Sequence, residues 1–170
     1  MSDTDVHDAE VRDLAERVLA AARGRKWMIA TAESCTGGLV AGALTEIAGS
    51  SDVVDRGFVT YSNAAKKDLL GVPEATLTAH GAVSRETAEA MAQGALARAP
   101  VDLSVAITGV AGPGGGSPEK PVGLVHFATA AKDGRVIHRE KRYGDIGRSS
   151  VRRASVIEAL NLLLELAAVR

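Results

Sequence analysis

Apolar and polar residues along the chain follow two periods, one typical of helices and one typical of strands. Between residues 11 and 22 apolar residues recur every three or four positions, which predicts a helix that ends at Gly24. Apolar runs between polar turns instead indicate strands. The whole pattern predicts helices over about 11–24, 36–49, 63–70, from Ser84 to about 96 and over 148–168, and strands over 26–32, 53–61, 102–108, 122–130 and 134–143.

Strands and helices alternate first, whereas the last two predicted strands follow each other directly. The turn between them, Lys132-Asp133-Gly134, is typical of a hairpin. Strands joined through helices pair in parallel, and a hairpin adds an antiparallel pair. The sequence therefore predicts an α/β fold, a three-layer α/β/α sandwich with a mixed, mostly parallel five-stranded sheet. We expect a disordered tail over 1–8 and one domain over 9–170.

Composition narrows the class of protein. Of the 170 residues 46% are hydrophobic but only 3% are aromatic, so the core should be aliphatic. No apolar run approaches the roughly 20 residues that span a bilayer, and the acidic start of the chain is unlike a secretory signal. A net charge of −1 argues against a nucleic-acid partner. The single cysteine, Cys35, cannot form an internal disulfide, and we expect a cytoplasmic protein.

Three polar stretches directly follow predicted strands, over residues 33–38, 62–67 and 109–120. In open α/β sheets, ligands bind outside the carboxyl ends of the strands. If the three preceding strands are parallel, these stretches meet in one cleft.

The segment "TAESCTGG", 31–38, offers a candidate nucleophile. Ser34 would lie close to a helix N-terminus, where N–H groups and the helix dipole stabilise negative charge. The alternative is that Ser34 or Thr36 simply caps the helix. Gly37 and Gly38 weaken that alternative, since glycine at a helix start lowers stability but lets a ligand approach the backbone.

A serine nucleophile needs a base, and the sequence offers lysine rather than histidine. The four histidines are scattered, and none lies at a spacing typical of metal ligands. In "TYSNAAKKD", 60–68, Tyr61 ends a strand and Lys66 lies one turn into the next helix, so both can face one pocket. Desolvation would lower the pKa of Lys66 enough for it to act as a base. The alternative places Lys66 and Lys67 on the surface.

The segment "GVAGPGGGSPEKP", 109–121, is too rich in glycine and proline for a helix or strand. It matches neither the Walker loop nor the G-x-G-x-x-G pattern. Its backbone N–H groups could still bind a phosphate or a pyridine ring. It could also be an ordinary long loop, although such loops are uncommon in compact domains and often functional.

Six motifs occur in a fixed order: "TAESCTGG", "AGSS", "GFVTYSNAAK", "HGAVS", "ITGVAGPGGGSPEKPVG" and "GDIGRSSVRR". Together they closely resemble the C-terminal domain of CinA proteins, over about residues 9–168. The resemblance implies a three-layer sandwich that converts nicotinamide mononucleotide and water to nicotinate mononucleotide and ammonia, without metal or cofactor, in pyridine-nucleotide recycling. It also implies a homo-oligomer.

By matching position, the resemblance assigns the nucleophile to Ser34 and its partners to Tyr61 and Lys66. The expected mechanism is acyl transfer, in which Lys66 removes the Ser34 proton either directly or through Tyr61. N–H groups at the start of the 36–47 helix would hold the oxyanion, and Cys35 would be a small buried residue. The expected substrate-binding residues are Thr36, Gly37, Gly38, Ser50, Ser51, Thr108, Gly109, Ala111, Gly112 and Arg148. The alternatives are a non-catalytic nucleotide-binding module, another serine amidohydrolase or esterase, or a role in competence or DNA damage.

Overall fold

The structure, a computed structural model, describes residues 8–168. Within that range it contains five strands and six α-helices. In chain order these are α1 (Ala9–Gly24), β1 (Ile29–Glu33), α2 (Leu39–Thr45), β2 (Val54–Val59), α3 (Asn63–Leu70), α4 (Glu74–His80), α5 (Arg85–Arg98), β3 (Leu103–Gly109), β4 (Leu124–Ala131), β5 (Val136–Arg142) and α6 (Arg148–Ala168). A single 3-10 turn, Ser50–Asp52, precedes β2.

The five strands form one mixed sheet in the order β2-β1-β3-β4-β5. β1 pairs in parallel with both β2 and β3, with Ile29 opposite Leu103 in the β1–β3 register. β4 pairs antiparallel with β3 and with β5. Four strands therefore point in one direction and only β4 runs against them, which confirms the predicted mixed sheet.

Helices cover both faces of the sheet, as the sandwich prediction requires. On one face α1, α2 and α6 pack over an aliphatic cluster that includes Leu44, Val105 and Leu160. On the other face α5 lies over the sheet with α3 and α4 beside it, around a smaller cluster that includes Leu70 and Met91. β1 is buried along its whole length because it lies between these layers. None of the described helices has the length and apolar character needed to cross a membrane.

Three local differences from the prediction have clear causes. α4 was not predicted, and it begins directly after Pro73, which serves as its N-cap. α2 begins at Leu39 rather than at residue 36, because Gly37 and Gly38 have positive φ values of 57° and 103°. Of the predicted tail only Asp8 lies within the described residues, and it caps α1 by accepting from Val11 N–H at 2.9 Å.

Candidate active site

The carboxyl ends of β1, β2 and β3 meet at one edge of the sheet, where a cleft of about 180 Å³ opens. Each of the three stretches expected to converge supplies residues to this cleft. Among its described lining residues none is acidic, whereas Lys66 and Arg148 have basic side chains. The lining consists of Ser34, Cys35, Tyr61, Lys66, Ala82, Val83, Thr108, Gly109, Ala111 and Arg148.

Ser34 and Lys66 contact each other inside the cleft. Lys66 Nζ lies 2.9 Å from Ser34 Oγ, and the lysine is only 1% exposed. Two elements fix this pair. Ser34 directly follows β1, and its N–H donates to Ile107 O on β3 at 2.9 Å. α3 begins with a cap in which Ser62 Oγ accepts from Ala65 N–H, and this places Lys66 on the buried side of the helix.

The position of Lys66 in the cleft affects the pKa of its side chain. Burial lowers the pKa of its ammonium group from the ordinary value. Its other polar contacts are two backbone carbonyls, Thr60 O at 2.8 Å and Tyr61 O at 3.5 Å. A neutral amine has two N–H bonds, which these carbonyls accept, and one lone pair, which is then left for the hydroxyl proton of Ser34.

Cys35, next to the candidate nucleophile, is a buried thiol. Burial in the aliphatic cluster raises its pKa to about 12, and the nearby Glu33 carboxylate acts in the same direction. A thiol with such a pKa stays protonated near neutral pH and is a poor nucleophile. Its burial, with 6% of its surface exposed, fits the expected role as a small buried residue, although it also borders the cleft.

Glu33 is a buried site residue that the sequence reasoning left without a role. Its carboxylate is completely buried and accepts from Thr36 Oγ1 at 2.6 Å, Val40 N at 2.9 Å and Ala41 N at 3.0 Å. A fourth donor, Thr31 Oγ1, lies at 3.3 Å. The local sequence gives no signal for this cap, because Glu33 lies six residues before Leu39, the first residue of α2.

The Glu33 cap corrects the expected oxyanion site. The N–H groups of Val40 and Ala41, in the first turn of α2, are already bonded to the carboxylate. Leu39 N–H donates to Thr36 O at 3.0 Å. The start of α2 is thus occupied by an internal anion, and it does not offer these groups to a reacting carbonyl.

Three predicted substrate-binding residues support the backbone instead of lining the cleft. Thr36 is fully buried and bonds to Glu33. Gly37 and Gly38 adopt the left-handed conformation that glycine accepts without strain, and this lets the chain turn into α2. The glycine pair therefore allows the turn into α2.

Ser50 and Ser51 were expected at the substrate site, and the structure places them elsewhere. They form the 3-10 turn just before β2, and therefore lie beside the amino ends of β1 and β2. Ser34 follows the opposite end of β1. Within one chain these two serines are therefore not brought to the cleft that holds Ser34.

The mouth of the cleft is bridged by Arg148, at the start of α6. Its Nη1 donates to Gly112 O at 2.8 Å and its Nη2 donates to the Tyr61 hydroxyl at 3.0 Å. The Tyr61 side chain is 63% exposed, so its hydroxyl does not lie between Lys66 and Ser34. The predicted relay through Tyr61 is replaced by the direct Lys66–Ser34 contact.

Thr108, Gly109 and Ala111 form the wall of the cleft opposite Lys66. Thr108 Oγ1 donates to Ala82 O at 2.8 Å, which ties the end of β3 to the loop before α5. At Gly109 a Cβ atom would meet Leu124 O at 2.7 Å, so a larger residue would push β3 away from β4. Among residues 8–168 no group of three or more His, Cys, Asp or Glu side chains is arranged to hold a metal ion.

Comparison with known proteins gives a consistent family. The CinA C-terminal domain model matches residues 11–167. The chain is 51% identical to nicotinamide-nucleotide amidohydrolase PncC of Escherichia coli K12, over 92% of this chain and 94% of that protein. It is 55% identical to a CinA-like protein of Synechococcus sp. RCC307, over 91% of this chain but only 37% of that longer protein.

Solved structures agree with the sequence comparison. The crystal structure of competence/damage inducible protein CihA from Agrobacterium tumefaciens superposes with a TM-score of 0.92 at 60% identity, over 94% of this chain and 96% of that one. A CinA superfamily protein from Klebsiella pneumoniae gives 0.88 at 37% identity, over 93% and 98%. With its fold, its motifs and its relatives in agreement, the chain belongs to the CinA C-terminal domain family.

Proposed function

We propose that this chain hydrolyses the carboxamide of nicotinamide mononucleotide, giving nicotinate mononucleotide and ammonia. The observation that carries the proposal is the buried Lys66 Nζ at 2.9 Å from Ser34 Oγ, in the cleft at the strand ends. The named activity of the PncC relatives, which match the chain over nearly their whole length, supplies the substrate. The reaction would recycle pyridine nucleotides in the cytoplasm.

The first step is attack by Ser34. Neutral Lys66 takes the hydroxyl proton as the oxygen forms a bond to the carboxamide carbon, so that the lysine becomes an ammonium and the carbonyl oxygen becomes an oxyanion. The new ammonium is held by Thr60 O and Tyr61 O. The carbonyls thus orient the amine before the transfer and stabilise its charge after it.

The second step expels ammonia. Lys66 returns its proton to the amide nitrogen as the carbon–nitrogen bond breaks, which leaves an ester between Ser34 and the nicotinoyl group. Water then attacks the ester with Lys66 as base, and the serine oxygen leaves with the proton. Each proton taken by Lys66 is returned, so the enzyme is regenerated.

Arg148 and the charge of the cleft favour an anionic substrate. A cavity of about 180 Å³ is smaller than the roughly 300–1,000 Å³ of sites that enclose a drug-sized ligand. It therefore takes the reacting ring, and the rest of the nucleotide lies toward the mouth. There the exposed guanidinium of Arg148 can exchange its contact with Gly112 O for a phosphate oxygen.

The test is release of ammonia from nicotinamide mononucleotide by the purified protein, with nicotinate mononucleotide identified by chromatography. The Ser34→Ala variant is the control and should release none. Binding without turnover by the unaltered protein would instead make it a nucleotide-binding module. Turnover of simple amides or esters but not of this nucleotide would mean that Ser34 and Lys66 serve a different hydrolase activity.

A further inference from the structure

An arginine of α6 donates hydrogen bonds to the turn that carries Ser34. Arg152 Nε donates to Cys35 O at 3.1 Å and its Nη2 donates to Thr36 O at 3.3 Å. On the same turn Gly37 N–H donates to Ser34 O at 3.0 Å. Three successive carbonyl groups, of residues 34–36, are therefore all fixed by hydrogen bonds.

Fixing the carbonyls also fixes the N–H groups of this turn. A trans peptide is planar, and its C=O and N–H point in opposite directions. Since Cys35 O points at Arg152, the N–H of Thr36 points away from it. The backbone contacts of the described residues give no acceptor for the N–H of Cys35 or of Thr36, whereas those of Leu39, Val40 and Ala41 are all bonded.

Arg152 differs from the two arginines beside it on α6. Arg148 borders the cleft, and Arg153 pairs with the carboxylates of Asp8 at 2.7 Å and Glu10 at 3.0 Å. Within residues 8–168 the contacts of the Arg152 guanidinium are the two backbone carbonyls, and it has no place in the lining of the cleft. At Gly37 a Cβ atom would lie 3.4 Å from Arg152 Nη2, so the glycine leaves room for this side chain.

We propose that Arg152 is a positioning residue for the oxyanion of the reaction. By holding the carbonyls of Cys35 and Thr36 it fixes the turn, so that the N–H of Cys35, which borders the cleft, donates to the carbonyl oxygen as Ser34 attacks. In unrelated hydrolases the N–H after the nucleophile has the same task. This inference rests on the proposed hydrolysis.

The experiment compares Arg152→Gln with the matched control Arg153→Gln, the same change one residue further on. We expect kcat for nicotinamide mononucleotide to fall about 10- to 100-fold in Arg152→Gln, since losing an oxyanion donor altogether costs about 10²–10³-fold. KM should change less than about twofold. Arg152→Lys keeps the positive charge without the two-pronged contact, so its kcat should lie between those of Arg152→Gln and the unaltered protein. Arg153→Gln should keep kcat, even if its melting temperature falls.

Binding separates this role from a general loss of structure. Calorimetry on the inactive Ser34→Ala protein should give the same Kd for nicotinamide mononucleotide with and without Arg152→Gln, because the oxyanion exists only after attack. An unchanged kcat in folded Arg152→Gln, or an equal loss in Arg153→Gln, would overturn the proposal. So would a raised Kd with kcat intact, which would make Arg152 a substrate ligand. Absence of turnover in the unaltered protein would refute the proposed function itself.

Discussion

Replacement of Glu33 by glutamine tests how much the buried cap stabilises the nucleophile turn. Each carboxylate oxygen accepts from one backbone N–H, Oε1 from Val40 and Oε2 from Ala41. A glutamine has one acceptor oxygen and an NH₂ group that can only donate. Whichever way the amide is placed, the NH₂ faces one of the two N–H groups, and that donor loses its partner.

The expected loss of stability follows from the one backbone N–H that is left without an acceptor. A buried donor left without an acceptor costs about 1–3 kcal/mol. Burying a neutral amide is easier than burying a charge, which offsets part of this loss. We expect Glu33→Gln to lower the free energy of unfolding by about 2 kcal/mol, which for a chain of this size lowers the melting temperature by about 4–8 °C.

Urea denaturation followed by circular dichroism measures the change, and an unchanged m value would show that the same structure unfolds. Glu16→Gln is the control, because Glu16 is an exposed partner of Arg12 at 3.3 Å and such pairs contribute little. If Glu33→Gln is as stable as the unaltered protein, the four contacts of the carboxylate do not support the turn and the reasoning fails.

Four further predictions concern the dyad and its surroundings. The pH profile of kcat/KM should rise with pH through the lowered pKa of Lys66, because only the neutral lysine is a base. Lys66→Arg should lower kcat/KM about 100-fold or more. Near-normal activity of Lys66→Arg would mean that the residue at this position acts only as a charge. Ser34→Ala should abolish turnover, whereas Cys35→Ala should keep most of it and lose about 1 kcal/mol of stability; the reverse pattern would make Cys35 the nucleophile. Tyr61→Phe removes only the contact with Arg148 and should raise KM more than it lowers kcat. A large fall in kcat at constant KM would mean that Tyr61 takes part in proton transfer. Turnover should be unchanged by EDTA, and a loss restored by zinc would contradict a metal-free mechanism.

The fold and the pairing of Ser34 with Lys66 could be predicted from the sequence, because both depend on the order of strands and helices along the chain. Alternation of strands and helices predicts parallel pairing, and parallel strands bring their following residues to one edge. Ser34 and Lys66 each lie within a few residues of such a strand end, so their meeting followed from the topology. The mixed five-stranded sheet was therefore predicted, although its strand order was not. The Lys66–Ser34 contact is direct, whereas the prediction also allowed a relay through Tyr61.

The other features of the site depend on how distant elements are oriented relative to each other, which their order along the chain does not reveal. Glu33 accepts from residues seven and eight positions further on, and this requires the angle at which α2 leaves the turn. Arg152 reaches the turn from a helix more than 100 residues away in the chain, as the separation of 117 residues from Cys35 shows. The distance of Ser50 and Ser51 from the cleft has the same cause, since a motif shows sequence position but not the edge of the sheet on which it lies.

The pairing of β1 with β3 has a consequence for how the protein folds. The β4–β5 hairpin joins neighbouring segments, whereas Ser34 is fixed by a hydrogen bond to Ile107, and Lys66 meets it across 32 residues. Closing such long loops is slow compared with forming a hairpin or a helix. During refolding, helical and strand signals should therefore return before hydrolysis does, and recovered activity reports that the central strands have joined.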